Sequence, residues 1–312
     1  MDNFSNEVLQ DLGAKPKSLR SKYFYDDIGD DLFQQIMHCP EYYPTRCEAE
    51  ILRSKADVIA ETLRNGFDQF DLIELGAGDA TKTSYILQEF VRKQVNMTYM
   101  PVDISSSMID FLSTTLPERI PGLKVQALNG EYFEMVDEAN RRSSNHKAVL
   151  FLGGNLGNMP PEEALDFCKK LASSLQKGDL VLIGFDLKKN PKVIHAAYDD
   201  AGGLTKAFNL NLLTRINREL GGNFDISQFE HYASYDPSSG ACKSFLVSLK
   251  AQQVTISGQN IEFEKDEYID MEISQKYSLE EIDKMASDAG FVPVERFFDS
   301  NNWFLDTVWR VA

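Results

Sequence analysis

Cysteine is scarce in this chain: there are four in 312 residues, Cys39, Cys47, Cys168 and Cys242, and none stands in a C-x-x-C pair. That spacing suits reduced thiols in a cytoplasmic protein better than a disulfide framework or a zinc site. Histidine is equally sparse, and His38, His146, His195 and His231 show no metal-ligand spacing, so no metal is expected. Positive charge is also short, with 32 Lys+Arg against 48 Asp+Glu for a formal net charge of −16 and no Lys/Arg cluster of five or more. Phosphate backbones and anionic lipid repel such a surface, which argues against nucleic-acid and membrane partners. The longest apolar runs, such as 148–154, fall far short of the roughly 20 residues a spanning helix needs. The N-terminal segment alternates charged and polar residues and lacks the apolar core of a signal peptide. Neither a phosphate-cradling P-loop nor a serine nucleophile elbow is present.

What the chain does have is 43% hydrophobic residues, ample for a core. Short runs rich in Val, Ile, Leu and Phe recur at 70–75, 98–102, 123–127, 148–152 and 179–185, separated by stretches of helical period. In 83–91, Ile86/Phe90 and Leu87/Val91 pair at i,i+4 into one buried stripe. Strands alternating with helices predict an α/β fold, a parallel sheet covered on both faces. The rhythm breaks after Leu187. Residues 192–200 and 205–220 read as helices and 244–249 as an alternating strand. Two further strands are expected at 261–277 and 303–311, flanking a helix at 278–289 and pairing to close the sheet. The predicted division is therefore a sheet-forming core, 61–190 plus 261–312, and a discontinuous cap, 1–60 plus 191–260.

The first strand runs into Glu74-Leu75-Gly76-Ala77-Gly78-Asp79 and then a helix. Glycines there let the backbone turn sharply and approach a ligand, as in nucleotide-binding sheets, although such a loop also serves as a plain strand–helix turn. A nicotinamide dinucleotide fingerprint needs a third glycine where this chain has Thr81. An acid followed by L-G-x-G is the commoner form in S-adenosylmethionine enzymes. The second strand ends at Asp103, placed to accept both ribose hydroxyls of an adenosyl ligand or, alternatively, to cap the next helix. Glu131 and Tyr132 follow the third strand, an acid and a ring suited to an adenine. The fourth strand leads into Gly153-Gly154-Asn155-Leu156-Gly157-Asn158, where Asn158 offers both a donor and an acceptor to a zwitterion, or simply makes a turn.

The segments PKSLRSKYFYDDIGDDLFQQI, PEYYPTRCEAEIL, LIELGAGDATKT, PVDISSSMI, FLGGNLGNM, AYDDAGGLTKAFN and EISQKY occur in this order. Together they resemble the histidine-specific S-adenosylmethionine-dependent methyltransferases, the L-histidine Nα-methyltransferases of ergothioneine biosynthesis, over nearly the whole chain. The resemblance implies a class I, Rossmann-like seven-stranded sheet with a discontinuous substrate-binding cap. It implies S-adenosyl-L-methionine as methyl donor, held by Tyr25, Gly76, Gly78, Lys82, Asp103, Glu131 and Tyr132. It further implies Tyr42, Glu272 and Ser274 around a substrate imidazole, and Gly153, Asn158 and Tyr198 around the α-amino and carboxylate ends. Tyr42, Asn158 and Tyr198 would position the reactants, with no dedicated base. Where many members place a Met against the imidazole, ungapped alignment puts Ser244, which makes a roomier and more polar pocket. The expected activity is trimethylation of histidine to hercynine, with another aromatic amino acid as the alternative substrate and a nicotinamide oxidoreductase as the more distant one. A monomer acting on a small-molecule amino acid is expected.

Overall fold

The computed structural model describes residues 3–312. Fourteen strands succeed one another among them: β1 (Lys17–Ser18), β2 (Gln69–Leu75), β3 (Asn96–Asp103), β4 (Lys124–Val125), β5 (Leu128–Asn129), β6 (His146–Phe151), β7 (Leu180–Asp186), β8 (Phe229–Tyr235), β9 (Ala241–Ser248), β10 (Gln252–Ile256), β11 (Gln259–Phe263), β12 (Tyr268–Gln275), β13 (Phe291–Phe298) and β14 (Phe304–Val311). The chain divides into two compact units, residues 1–43 with 189–275, and residues 44–188 with 276–312.

The second unit is built on a sheet of order β13-β14-β7-β6-β2-β3-β4, with β5 also pairing β3. Strands β2 to β7 are parallel, and β14 enters antiparallel to β7. β4 and β5 both continue along β3, at Thr98↔Lys124 and Val102↔Leu128, so they form one interrupted strand and the sheet has the seven positions of the class I methyltransferase fold. The parallel strands are apolar on both faces because helices cover both: Phe70, Leu72, Ile73 and Leu75 of β2 are all buried. The helix Ser84–Arg92 buries Ile86, Leu87 and Phe90 of the predicted stripe, while Val91, at its end, is only half-buried.

The first unit carries the four-stranded sheet β1-β12-β9-β8 and the hairpin β10-β11. Its core joins Phe4, Val8 and Leu12 of the first helix to Phe208, Leu212 and Ile216 of the helix Leu204–Leu220, and to Leu246 and Ile269 of the sheet.

The division differs from the expected one at three boundaries. Helices Tyr43–Ser54 and Ala56–Arg64 belong almost wholly to the parallel-sheet unit, where Lys93 Nζ donates to the Asp57 carbonyl and Asn65 Nδ2 to that of Gly178. β12 is not a strand of the main sheet; it pairs with β9 and β1 in the other unit. The closing pair is instead β13 and β14, which follow the helix Leu279–Asp288. β13 was not predicted. Pro293 argues against a strand interior, but β13 is an edge strand with a register shift at Pro293/Glu295, where a missing N–H is tolerated.

Candidate active site

In the parallel-sheet unit, the predicted residues gather at the carboxyl ends of the strands. Gly76 and Gly78 lie at φ +71° and +50°, a region open to glycine at little cost. The N–H of Gly76 donates to the Val102 carbonyl at 2.9 Å, which folds the loop back over β3. A Cβ on Gly76 would stand 2.9 Å from the Tyr132 hydroxyl, whereas one on Gly78 would meet nothing within 4 Å, so the backbone there faces open space. Asp79 closes the turn by accepting from the Thr81 N–H and hydroxyl at 2.9 and 2.7 Å. The acid ahead of the loop is structural. Glu74 is buried, accepts from Thr83 Oγ1 at 2.5 Å and from the Tyr99 hydroxyl, and burial pushes its pKa up to about 7.

Asp103 ends β3 half-buried, with Oδ1 accepting from the Ser105 N–H at 2.9 Å. It does not cap the following helix; Ser105 does, through the Met108 N–H. A carboxylate oxygen is thus left for a ligand. Glu131 occupies the N-cap position of the helix Tyr132–Arg142 but makes no capping hydrogen bond, and its side chain is exposed. Tyr132 packs edge-on against Phe151 and Phe167, and its hydroxyl pKa is raised to about 12, by burial first and then by the charges of Asp103 and Glu131. A vicinal ring diol and an exocyclic amine are the partners that carboxylates at these two strand ends suit, and the bare Gly78 backbone admits a close approach. These residues fit an adenosyl cofactor.

Gly153 and Asn158 lie in the same unit. Gly153 and Gly154 turn at φ +80° and +67°, and Asn158 ends a 3-10 turn, Asn155–Asn158, with its side chain exposed. Lys82 is not simply a surface ammonium; its Nζ is paired with Glu48, whose other oxygen accepts from the Gly153 N–H at 2.5 Å. Sequence reasoning missed Glu48. Its helix buries Cys47, Ile51 and Leu52, and an acid within that stripe was the available signal.

The other unit gathers Tyr42, Tyr198, Ser244, Glu272 and Ser274. The helix Pro191–Tyr198 starts at an Asn190 cap with Pro191 in its first turn and ends at Tyr198, whose hydroxyl lies 2.7 Å from Ser274 Oγ. Two histidines tie that helix to β8. His195 Nε2 donates to the Ala233 carbonyl at 3.1 Å, and His231 Nε2 to the Tyr198 carbonyl at 3.0 Å. Burial lowers the pKa of His231, which favours its neutral form. Tyr42 meets Tyr198 and Phe33 edge-on at 6.1 and 6.5 Å.

On the sheet, Glu272 stands directly opposite Ser244, and Ser274 opposite Cys242. A register shift between Asp270 and Glu272 puts Glu272 on the face of Ile269, which simple alternation would have denied it. Ser244 is buried between Glu272 and Ala233. Tyr25 falls in this unit rather than with the other cofactor-assigned residues; 42% exposed, its ring packs edge-on against Phe33 and Phe208. The four cysteines are buried and unbridged, and no His/Cys/Asp/Glu group among the described residues is arranged to hold a metal. No helix among them is long and apolar enough to cross a membrane.

Comparison with known proteins identifies the family. The chain is 36% identical over 287 residues to a histidine N-alpha-methyltransferase of Mycolicibacterium smegmatis, covering 91% of this chain and 87% of that one. It is 33% identical to the histidine N-alpha-methyltransferase of Mycobacterium tuberculosis over the same shares. An L-tryptophan methyltransferase of Psilocybe serbica matches at 29% identity over 91% of this chain and 86% of its own. The family model described as histidine-specific methyltransferase, SAM-dependent, matches residues 4–311, and the chain is a member of that family of S-adenosylmethionine-dependent methyltransferases.

Proposed function

We propose that this chain methylates the α-amino nitrogen of L-histidine three times, giving hercynine, and that it does so in the cytoplasm as a monomer. The observation that carries the substrate reading is the face shared by Glu272, Ser244 and Ser274, with the Tyr198 hydroxyl on Ser274. An imidazole presents two ring nitrogens, one a donor and one an acceptor in its neutral form. A carboxylate with a pair of hydroxyls satisfies both, while a plain phenyl ring leaves them unpaired. Gly153 and Asn158 would take the carboxylate and amine ends of the amino acid, and Asp103, Glu131, Tyr132, Lys82 and the Gly76–Gly78 backbone the cofactor.

S-adenosylmethionine supplies an electrophilic methyl on a sulfonium. The protein's work is alignment. The substrate amine must be neutral to attack, which costs on the order of 1–3 kcal/mol at neutral pH for an amine of pKa about 8 or somewhat higher. That is a small part of a methyl-transfer barrier, so positioning residues suffice and no strong base is needed. In-line attack then depends on holding the reacting atoms about 3 Å apart. If the ring and carboxylate are clamped while the amine turns, one site serves three rounds, and the reaction ends when the nitrogen has no lone pair.

A second reading, another aromatic amino acid, is favoured by the small pair Ser244 and Ala233 beside Glu272. Incubating the purified protein with methyl-labelled S-adenosylmethionine and each amino acid in turn separates the two. Transfer to histidine is expected; methylation of tryptophan or tyrosine with none of histidine would overturn the first reading.

A further inference from the structure

We propose that Glu48 is a positioning residue for the cofactor, one buried carboxylate that holds the Lys82 ammonium with one oxygen and the Gly153 N–H with the other. The proposal rests on the reading of Lys82 as a cofactor residue and extends it to a group that touches no ligand itself.

Glu48 is 0% exposed. A carboxylate in that position is costly unless it is paired and hydrogen-bonded, and both of its oxygens are committed: Oε2 to Lys82 Nζ, Oε1 to the Gly153 N–H at 2.5 Å. The two partners belong to different loops, one after β2 and one after β6, and the helix Tyr43–Ser54 carries the acid that joins them. The sheet is built around this carboxylate. Gly184 on β7 has ordinary strand geometry and no positive φ, yet a Cβ there would lie 2.5 Å from Glu48 Oε1 and 3.1 Å from Asp306 Oδ1. The glycine is therefore a matter of space, not of backbone freedom.

Asp306 on β14 is buried and neither of its oxygens has a hydrogen-bond partner. Burial first, and then the neighbouring charge of Glu48, raise its pKa well above the usual carboxylate range. Lys82 retains 28% exposure, and an ammonium has three donors. With one donor fixed on Glu48, the flexible four-carbon stem is held in place and the remaining donors can meet an anionic ligand group. The cofactor's amino-acid carboxylate is the group of that chemistry.

The test is calorimetric titration of S-adenosylhomocysteine into the wild-type protein, Glu48→Gln, Lys82→Met and the double variant. Gln keeps an acceptor for Gly153 but takes the charge from Lys82. Glu48→Gln should weaken binding about tenfold, the scale of one charge-assisted contact. The double variant should be no weaker than Lys82→Met alone, because Glu48 acts through Lys82. In steady state KM for the cofactor should rise while KM for the amino acid stays within about twofold, a split that general loss of folding does not produce. Gly184→Ala, which leaves Glu48 in place but crowds it, should move cofactor affinity in the same direction and stands in if Glu48→Gln does not fold. Affinity unchanged in Glu48→Gln and Gly184→Ala, with Lys82→Met weakened, would overturn the proposal and leave the cofactor reading intact. Unchanged affinity in Lys82→Met would overturn both.

Discussion

The two units prepare for their ligands by different means. In the parallel-sheet unit the backbone and the strand ends dominate: Gly76 and Gly78 at positive φ, Asp103 as the last residue of β3 and Glu131 two residues beyond β5, all placed by a local strand–loop–helix grammar. In the other unit side chains dominate, brought from a loop at Tyr42, a helix end at Tyr198 and two antiparallel strands at Ser244, Glu272 and Ser274. On the proposed assignment of the sites, the difference teaches that a shared cofactor would be met by geometry the chain fixes locally. A particular substrate would be met by side chains on a long-range scaffold, which can be exchanged one at a time without rebuilding the backbone.

Substitutions that act on one unit alone can break that contrast. The largest expected effect concerns Glu74, whose pKa rises from 4.5 to about 7 through burial. A folded state that binds this proton more tightly than the unfolded chain loses stability as pH climbs through the interval between those values. The shift corresponds to about 3 kcal/mol, fully lost above about pH 7. Glu74→Gln should flatten this dependence, read as the difference in Tm between pH 5 and pH 8; an equal slope in both proteins would show that Glu74 is not the titrating group. Asp103→Ala should come next. Loss of two hydrogen bonds to a charged acceptor weakens S-adenosylhomocysteine binding about 100-fold by calorimetry, with the fold unchanged.

Glu272→Ala tests the other unit. Histidine affinity should fall about 30-fold while cofactor affinity holds, and an unchanged histidine affinity would falsify the imidazole assignment. The smallest effect is expected for Tyr198→Phe, which removes one neutral hydrogen bond to Ser274 and should raise KM for histidine about fivefold. A shift in KM for the cofactor instead would erase the contrast between the units.

How much of this could be read in advance follows the same line. The helix stripe of Ile86, Leu87 and Phe90, the glycine loop after β2 and the acid at the end of β3 were legible, because each depends on neighbours within a turn or a strand. The capping box of Ser278 and Glu281 is equally local, and its helix was found within one residue at each end. β13 was hidden by Pro293, since an edge position cannot be told from an interior one by sequence. Glu48 was hidden too, because the spacing of a helix does not reveal that Lys82 and Gly153 await its acid side chain.

The amino-acid sequence alone determined the alternation of strands and helices, the adenosyl-type loop and the acids beyond the second and third strands, since periodicity and strand-end chemistry act over a few residues. Only the tertiary structure decided which sheet β12 joins, and with it the fate of Glu272. Alternation from Ile269 and Met271 would turn Glu272 outward. The register shift after Asp270, set by pairing with a distant strand, turns it to face Ser244. A one-residue slip reverses every side chain beyond it, and only the partner strand fixes where that slip falls.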